Sequence, residues 1–391
     1  MGKRFVTIFP GLRPQHLGKD VAQIPARMNC FEDYEAELWT TDEGQEFKDA
    51  SPYAGDLPIR QLPDKGKIGS LEKAFLKRIR QEARHIDVLH LIGYERINFF
   101  YGFHYKLRNP KGTLYLKGDI YNQQLKERTA IQTRKAWKKK AIRHLERRFL
   151  KALDLISLEN EKASPIFKSL FPEHAEKCIQ LPNGIDAAFL RSRFPEPTPW
   201  EEKEDVFLVV GRIGISSKNH EQLLKALEDL ELGHWKVRFI GPIEESFEGV
   251  RREFFLKAPD KEGQVEFLGP IRDQRALFQE HEKAKVQLIP SRIESFGHVL
   301  LEGGAFDQYI VGSTGILPFD EITQGKRFGC ALEPDNKKAL KATIESIIAD
   351  PATYRIPPGA FREHVLQHFS WEGVIEQLKE ALEKKGPGDQ R

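Results

Sequence analysis

The residues most suited to chemistry follow a short apolar run, residues 286–289, that predicts a β-strand. Ser295 and Gly297 open a predicted helix, whose free N–H groups and dipole form an anion site suited to phosphate. Glu294 precedes this helix and Glu302 lies on it, eight positions later. Carboxylates beside a phosphate accept hydrogen bonds from hydroxyl groups, such as those of ribose or a sugar. The pattern fits a pocket for a sugar joined to a nucleotide, and it equally fits a capping serine beside two solvated glutamates.

A second group of candidates follows the predicted strand at residues 206–211. Gly211 ends this strand, and a basic loop with Arg212 and Lys218 leads into a predicted helix. Ligands of parallel sheets bind at the carboxyl ends of strands, so these cations would point toward the same sheet edge as Glu294. Two cations there would neutralise a departing diphosphate. A pair of surface cations at a strand end is the alternative.

The loop after the first predicted strand, residues 10–21, is a third candidate. It contains Gly11 and Gly18, which permit close approach of a ligand to the backbone. The loop does not read G-x-G-x-x-G, so it does not predict a dinucleotide site. A structural role and a ligand-binding role fit it equally. His16 in this loop is a candidate whose more ordinary interpretation is structural.

The elements that must position these residues are short apolar runs that alternate with amphipathic segments. This alternation predicts parallel sheets with helices on both faces. We therefore predict an α/β protein of two doubly wound, Rossmann-like domains, at residues 1–183 and 184–368, divided by the turn Pro182-Asn183-Gly184. The predicted strands are residues 4–9, 36–40, 87–92, 113–117, 154–157 and 178–181, then 206–211, 237–241, 265–268, 286–289 and 310–312.

Composition limits the class of protein. A chain of 391 residues exceeds one ordinary domain. No apolar run approaches the roughly 20 residues of a membrane-spanning helix. Three dispersed cysteines argue against a disulfide framework and indicate a reducing, cytoplasmic location. The net charge of +3 conceals a basic first part (residues 1–184, 33 Lys/Arg against 23 Asp/Glu) and an acidic remainder. One domain is therefore expected to face an anionic partner.

Much of this positive charge lies in one stretch of eighteen residues, from Arg134 to Lys151. Nine of these residues are Lys or Arg, and Trp137 begins an apolar stripe at helical spacing. A basic amphipathic helix with a tryptophan indicates an anionic membrane surface. A helix packed on the core, with a solvated basic face, is the equally open alternative.

Taken in order, the motifs of the second half resemble those of retaining glycosyltransferases of family 4, which have the GT-B fold of two Rossmann-like domains facing a cleft. The resemblance covers most of residues 178–385, and it is looser before them. The parts that carry it are Glu294-x7-Glu302 with Ser-Phe-Gly inside, Gly211-Arg212 followed by Lys218-Asn219, residues 181–186 (LPNGID) and residues 369–372 (FSWE).

The resemblance implies a role for each matching residue. Arg212 and Lys218 would bind the donor diphosphate and stabilise its charge as it leaves, and Glu294 would contact the transferred sugar. These three are the candidate catalytic residues. Glu302 would hold the ribose hydroxyls. The other donor-binding residues are Gly18, Gly211, Ser295, Phe296, Gly297, His298 and Val299.

Three further expectations come from the same resemblance. The last helix, at about residues 370–385, would pack back on the first domain. The loop with Gly18 would close the cleft from that domain. Asp119 would lie where the family places a polar residue near the reacting sugar.

The chain departs from the family pattern at two points. The family usually has a small residue after the second Glu and a Gly-x-Pro-Val further on, whereas this chain has Gly303-Gly304 and then residues 307–310 (DQYI). Lys218 lies six rather than five positions after Arg212. The chain has no Asp-x-Asp, the pair with which glycosyltransferases of the other common fold hold a divalent cation. We therefore expect no metal or cofactor, and we assign no catalytic base.

These observations predict a glycosyltransferase that uses a nucleoside-diphosphate sugar, with a UDP-sugar as the expected donor. The acceptor would be a saccharide or a lipid-linked molecule, and the protein would lie in the cytoplasm, peripherally on the inner face of the membrane. No nucleic-acid-binding signature is found. The alternatives are a non-catalytic protein that binds nucleotides or anionic surfaces, and a sugar-nucleotide epimerase or phosphorylase on the same fold.

Overall fold

The structure is a computed structural model that describes residues 2–42, 44, 47, 55–63, 70–128, 131–133 and 135–385. The chain divides into two compact units. Unit 1 comprises Met1–Asn183 together with Trp371–Arg391, and unit 2 comprises Gly184–Ser370. Each unit contains one parallel sheet covered by helices, with a buried core on each face of the sheet.

The sheet of unit 1 has seven strands in the order β3-β2-β1-β4-β5-β6-β7, and all of its pairings are parallel. The inner strands are apolar and buried because helices cover both faces. The six predicted strands of this half are present, and edge strand β3 was not predicted. The strands are β1 (Lys3–Ile8), β2 (Tyr34–Asp42), β3 (Ile59–Pro63), β4 (Val88–Ile92), β5 (Thr113–Gly118), β6 (Leu155–Leu158) and β7 (Cys178–Gln180).

The helices of unit 1 form two layers. Helices α1 and α15 pack together on one face of the sheet, and α3 packs against α2 and α5 on the other. The helices are α1 (Asp20–Met28), α2 (Ser70–Glu82), α3 (Arg96–Arg108), α4 (Asn122–Glu127), α5 (Ala136–Ala152), α6 (Ala163–Leu170) and α15 (Trp371–Lys384).

The sheet of unit 2 has six strands in the order β10-β9-β8-β11-β12-β13, again with parallel pairings. The five predicted strands of this half are present, and edge strand β13 was not predicted. The strands are β8 (Glu204–Val210), β9 (Lys236–Ile240), β10 (Val265–Gly269), β11 (Ala284–Leu288), β12 (Tyr309–Ser313) and β13 (Gly329–Leu332).

Two helix layers also cover the sheet of unit 2. Helices α8 and α13 pack together on one face, and α11 packs against α14 on the other. The helices are α7 (Ala187–Arg193), α8 (His220–Leu227), α9 (Glu248–Lys257), α10 (Gln274–Lys283), α11 (His298–Ala305), α12 (Phe319–Thr323), α13 (Lys337–Ala349) and α14 (Ala360–His368).

The basic stretch forms helix α5, which begins at Ala136, and Arg134 lies outside the described residues. Its predicted apolar stripe is buried only in part. Phe149 and Leu150 are buried in the core, whereas Trp137 is 67% exposed. The C-terminal half of the helix therefore packs on the core, and its N-terminal end presents the tryptophan to solvent.

The one acidic residue of α5, Glu146, faces inward and is fully buried. The hydroxyl of Tyr94 donates a hydrogen bond to its carboxylate (2.9 Å), and Arg128 forms an ion pair with it. Because this carboxylate is neutralised inside the unit, the exposed surface of α5 carries basic side chains and no carboxylate of its own helix.

We expect Glu146→Ala to destabilise unit 1 by about 2 kcal/mol, because Tyr94 and Arg128 both lose a charged partner. The measurement is the urea midpoint followed by circular dichroism. Glu127→Ala, which removes an exposed carboxylate from the same region, serves as the control and should leave the midpoint unchanged. Equal midpoints for the two variants would contradict the role given to Glu146.

Candidate functional site

The loop between β11 and α11 is held by the loop that follows β12. The amide of Glu294 donates to the carbonyl of Gly315 (3.1 Å), and the amide of Leu317 donates to the carbonyl of Glu294 (3.2 Å). Glycine is required at position 315 because a Cβ there would lie 1.9 Å from the carbonyl oxygen of Arg292. Two loops at the carboxyl ends of neighbouring strands thus fix the backbone of Glu294.

Lys218 and Glu294, which lie 76 positions apart in the sequence, are in direct contact. The Nζ atom of Lys218 donates to Oε1 of Glu294 (2.8 Å), and the hydroxyl of Ser291 donates to the same oxygen (2.5 Å). A Cβ on Gly297 would lie 3.2 Å from the other oxygen, Oε2, and this glycine has φ +80°. The carboxylate therefore lies beside the residue that caps α11, where free helical N–H groups favour an anion.

The five residues predicted around this helix start occupy three kinds of position. Ser295 and Phe296 precede the cap, Gly297 is the cap, and His298 and Val299 belong to the first turn of α11. The side chain of Phe296 is 2% exposed and packs against the ring of His298, with 5.7 Å between ring centroids. Only the backbone of Phe296 is therefore available to a ligand.

The loop after β8 begins with a close contact between two backbones. Gly211 has φ +150°, and its amide donates to the carbonyl of Ile240 (2.9 Å). Gly241 has φ +142°, and a Cβ on it would lie 1.8 Å from the carbonyl oxygen of Gly211. No side chain can be accommodated at position 241 unless this loop moves.

A buried histidine at the start of α8, His220, holds the rest of the same loop. The amide of Gly214 donates to Nδ1 of His220 (3.2 Å). Burial, with a smaller effect of Lys218, lowers the pKa of His220 to about 3. The imidazole is therefore neutral at physiological pH and remains a hydrogen-bond acceptor for the loop.

The structure joins some of the predicted residues and separates others. Arg212 donates from Nη2 to Glu244 (2.6 Å), and its side chain is 57% exposed. Glu302 lies on α11 with Oε2 3.5 Å from Nε2 of His281. Among the described residues, Lys218 and Glu294 are thus in contact, whereas Arg212 and Glu302 each pair with a residue outside the predicted set.

The three predicted residues of unit 1 lie in loops. The amide of Arg13 donates to Nδ1 of His16 (3.1 Å), and burial lowers the pKa of His16 to about 4. Gly18 lies in the exposed turn before α1, and Asp119 is exposed directly after β5. The ring of His16 packs on Phe9 with 5.4 Å between centroids.

The sequence pattern missed a buried charged group in unit 1. Lys117, near the end of β5, is fully buried with Nζ 3.1 Å from Glu159 and 3.7 Å from Asp20. Burial raises the pKa of Glu159 to about 7, against the opposing effect of Lys117. No spacing rule predicts this group, because its members come from three separate elements.

Two negative findings concern only the described residues. Within that part of the chain, no group of three or more His, Cys, Asp or Glu side chains is arranged to hold a metal ion. None of the helices described above is both long enough and apolar enough to cross a membrane.

Comparison with known proteins places the family signal on unit 2. Residues 191–358 match the family described as "Glycosyl transferases group 1". The gpi3 subunit of phosphatidylinositol N-acetylglucosaminyltransferase from Schizosaccharomyces pombe is 26% identical over 208 residues, which are 52% of this chain and 42% of that protein. Glycogen synthase from Mycobacterium tuberculosis is 27% identical over 212 residues, 52% of this chain and 48% of that protein. The chain thus spans about half the length of these curated relatives.

Similarity to solved structures extends over both units. Sucrose-phosphate synthase from Thermosynechococcus elongatus has a TM-score of 0.70 at 18% identity, with 98% of each chain covered. Anabaena Alr3699/HepE, solved in complex with UDP and glucose, has a TM-score of 0.69 at 15% identity, with 98% of this chain and 100% of that chain covered. These similarities establish the GT-B fold.

We expect Gly241→Ala to destabilise the protein by about 3 kcal/mol, because its Cβ would overlap the carbonyl of Gly211 and force the loop after β8 to move. The measurement is the thermal unfolding midpoint. Gly233→Ala is a matched control in the same unit, since φ is +58° there and no atom lies within 4 Å of the added Cβ. The control should cost about 1 kcal/mol from backbone strain alone, and equal shifts would contradict the close-contact argument.

Proposed function

We propose that this protein is a glycosyltransferase that moves a sugar from a nucleoside-diphosphate sugar to a saccharide or lipid-linked acceptor, in polysaccharide or glycolipid biosynthesis. The observation that carries the proposal is the contact of Lys218 with Glu294 beside the start of α11. It unites a cation for a diphosphate, a carboxylate for sugar hydroxyls and a helix N-terminus for phosphate. The match to group 1 glycosyltransferases covers all of these residues.

The donor is proposed to be a UDP-sugar and the reaction to proceed with retention, as in family 4. Support for the base comes from HepE, a neighbour of the same fold that was solved with UDP and glucose. Support for family 4 comes from the order of the motifs along unit 2. One curated relative is named as a subunit of an N-acetylglucosaminyltransferase and another as a glycogen synthase, and both names favour the same class of reaction.

The contact between Lys218 and Glu294 suggests how the donor enters. An incoming diphosphate competes with the carboxylate for the ammonium group of Lys218, whose side chain is 25% exposed. Ser291 continues to donate to Oε1 of Glu294 after Lys218 has turned to the phosphate. The carboxylate is then held in place, and it accepts hydrogen bonds from the hydroxyls of the transferred sugar.

Bond cleavage at the sugar leaves negative charge on the diphosphate. Lys218, Arg212 and the N–H groups at the start of α11 are proposed to stabilise this charge, which is usually the largest electrostatic contribution to such a step. Arg212 reaches the phosphate by leaving Glu244 on the surface. Glu302, on the second turn of α11, is proposed to accept hydrogen bonds from the ribose hydroxyls.

Two alternatives are separated by the fate of the sugar. A non-catalytic nucleotide-binding protein would bind UDP without consuming a UDP-sugar. An epimerase or phosphorylase on the same fold would act without a saccharide or lipid acceptor, and a phosphorylase would use inorganic phosphate in its place. Product analysis with and without acceptor distinguishes the three.

Helix α5 is proposed to bind an anionic membrane surface, where a lipid-linked acceptor would be found. Its outward side presents lysines and arginines, while Glu146 is turned into the core. Trp137 is 67% exposed at the N-terminal end of the helix, where its amphipathic ring suits the headgroup region. Each cation near an anionic bilayer contributes about 1 kcal/mol of binding.

We expect Lys218→Gln to weaken UDP binding about tenfold, the cost of one charged hydrogen bond. Glu294→Gln should lower turnover of the UDP-sugar about a hundredfold or more without weakening UDP binding, because its carboxylate contacts the sugar and competes with the diphosphate for Lys218. Calorimetry with UDP, GDP and ADP in the presence of EDTA, and turnover with their sugars, measure both effects.

Lys225→Gln is the matched control for these variants. It removes an exposed lysine of α8 that pairs with Glu221 (2.6 Å), and binding should be unchanged. If none of the three nucleotides binds the wild-type protein, the glycosyltransferase proposal is wrong. If UDP binds but Lys218→Gln and Lys225→Gln behave alike, the site is misplaced.

The membrane proposal predicts a change in the fluorescence of Trp137. The other four tryptophans are at most 5% exposed, so quenching by brominated lipids reports on Trp137. Vesicles of phosphatidylglycerol and phosphatidylcholine should quench the emission, and phosphatidylcholine alone should not. Substituting Lys138, Lys139 and Lys140 together by Gln should weaken binding by about 3 kcal/mol, roughly a hundredfold.

A second triple variant controls for the loss of net charge. Lys225, Lys257 and Lys283 are exposed lysines of unit 2, and their substitution by Gln removes the same charge from other helices. This variant should bind vesicles like the wild type. Equal losses for the two triple variants would show that net charge, and not α5, is responsible.

A further inference from the structure

A histidine that no sequence pattern singled out lies behind Glu302. His281 of α10 is fully buried, and its Nε2 atom is 3.5 Å from Oε2 of Glu302. Glu302 itself keeps 22% of its side chain exposed. One carboxylate oxygen therefore faces the protein interior, and the residue still reaches the surface on which a nucleotide is proposed to bind.

The neighbouring glutamine determines which nitrogen of His281 carries a proton. The amide nitrogen of Gln308 donates to the carbonyls of His281 (3.1 Å) and Ala284 (3.2 Å). Two carbonyl acceptors fix the orientation of this amide, so its oxygen must face Nδ1 of His281 at 3.0 Å. That oxygen only accepts, and Nδ1 must therefore be the protonated nitrogen that donates to it.

The state of Nε2 follows from this assignment. A neutral imidazole with its proton on Nδ1 would present a lone pair to the carboxylate of Glu302, which is repulsive. Nε2 of His281 and Oε2 of Glu302 lie 3.5 Å apart, within ion-pair distance, and they attract each other only when Nε2 carries a proton. The ring is also held by packing, since Phe306 stacks on it with 6.1 Å between centroids and Phe278 meets it edge-on at 6.3 Å.

We propose that His281 is a positioning residue for nucleotide binding. It holds Oε2 of Glu302 from inside the unit, so that the carboxylate presents a fixed acceptor to the ribose hydroxyls. Gln308 acts one step further away, by setting the tautomer of His281. This inference rests on the function proposed above, because it assigns the support of the residue that would bind ribose.

Two substitutions distinguish the contribution of Nδ1 from that of Nε2. In His281→Asn the amide replaces Nδ1, so the hydrogen bond to Gln308 can persist while the group that faces Glu302 is lost. In His281→Gln the amide nitrogen reaches the position of Nε2 and can donate to Glu302. We expect His281→Asn to weaken UDP binding about tenfold and His281→Gln to restore most of it.

The decisive ligand is 2′,3′-dideoxy-UDP, which lacks the hydroxyls that Glu302 would bind. Calorimetry should show that His281→Asn leaves the affinity for this analogue unchanged, because the residue acts only through Glu302. A general loss of structure would weaken the binding of UDP and of the analogue equally. Phe278→Leu is the matched control on the same helix, since it disturbs the same aromatic packing and retains the imidazole. It should leave the ratio of the two affinities unchanged.

Glu302→Ala distinguishes failure of this inference from failure of the proposed function. If the wild type does not prefer UDP to the analogue, or Glu302→Ala does not remove the preference, the ribose role of Glu302 is wrong and the inference falls with it. If Glu302→Ala removes the preference and His281→Asn retains it, the inference alone is overturned. Should His281→Asn fail to fold, ¹⁵N NMR of the wild-type histidines decides, because an unprotonated Nε2 on His281 at neutral pH contradicts the proposal.

Discussion

Parallel strand pairing is the constraint on which the site depends. In each sheet all carboxyl ends lie along one edge, and the loops that leave this edge in unit 2 carry Lys218, Glu294 and the start of α11. Parallel strand pairing alone therefore brings residues that are distant in sequence to the same edge of the sheet. Gly241 and Gly315 complete the arrangement, because each lets one backbone approach another where a Cβ would overlap a carbonyl oxygen.

The fold followed from the sequence wherever a strand is buried on both sides. Eleven strands were predicted and are present, and the two that were missed, β3 and β13, both lie at sheet edges. Strand β3 reads IRQLP and has exposed positions along its length, so it lacks the continuous apolar run of an inner strand. Strand β13 has only four residues. These two edge strands carry a weak signal for that reason, whereas the other two edge strands, β7 and β10, have apolar runs that were predicted.

The site was predictable to the level of loops and less so for individual contacts. Spacing placed Lys218 and Glu294 at one sheet edge, but it could not show that Arg212 would turn to Glu244 instead. Spacing also could not find His281, because the partners of this side chain come from other elements and are fixed only by tertiary packing. For α5, periodicity predicted a helix and an apolar stripe, yet the packing of its C-terminal half left Trp137 outside the core.

The path of the chain has a consequence for the order in which the two units can fold during synthesis. The chain leaves unit 1 at Asn183 and returns to it at Trp371, whose helix α15 buries five apolar residues in unit 1. On the ribosome, unit 2 is contiguous and can fold as soon as it emerges. Unit 1 must wait for α15 while unit 2 is synthesised, roughly 10 to 40 s at ordinary elongation rates. During this interval the apolar surface of unit 1 that α15 later covers is exposed to solvent. A chaperone that recognises exposed apolar surface would bind there.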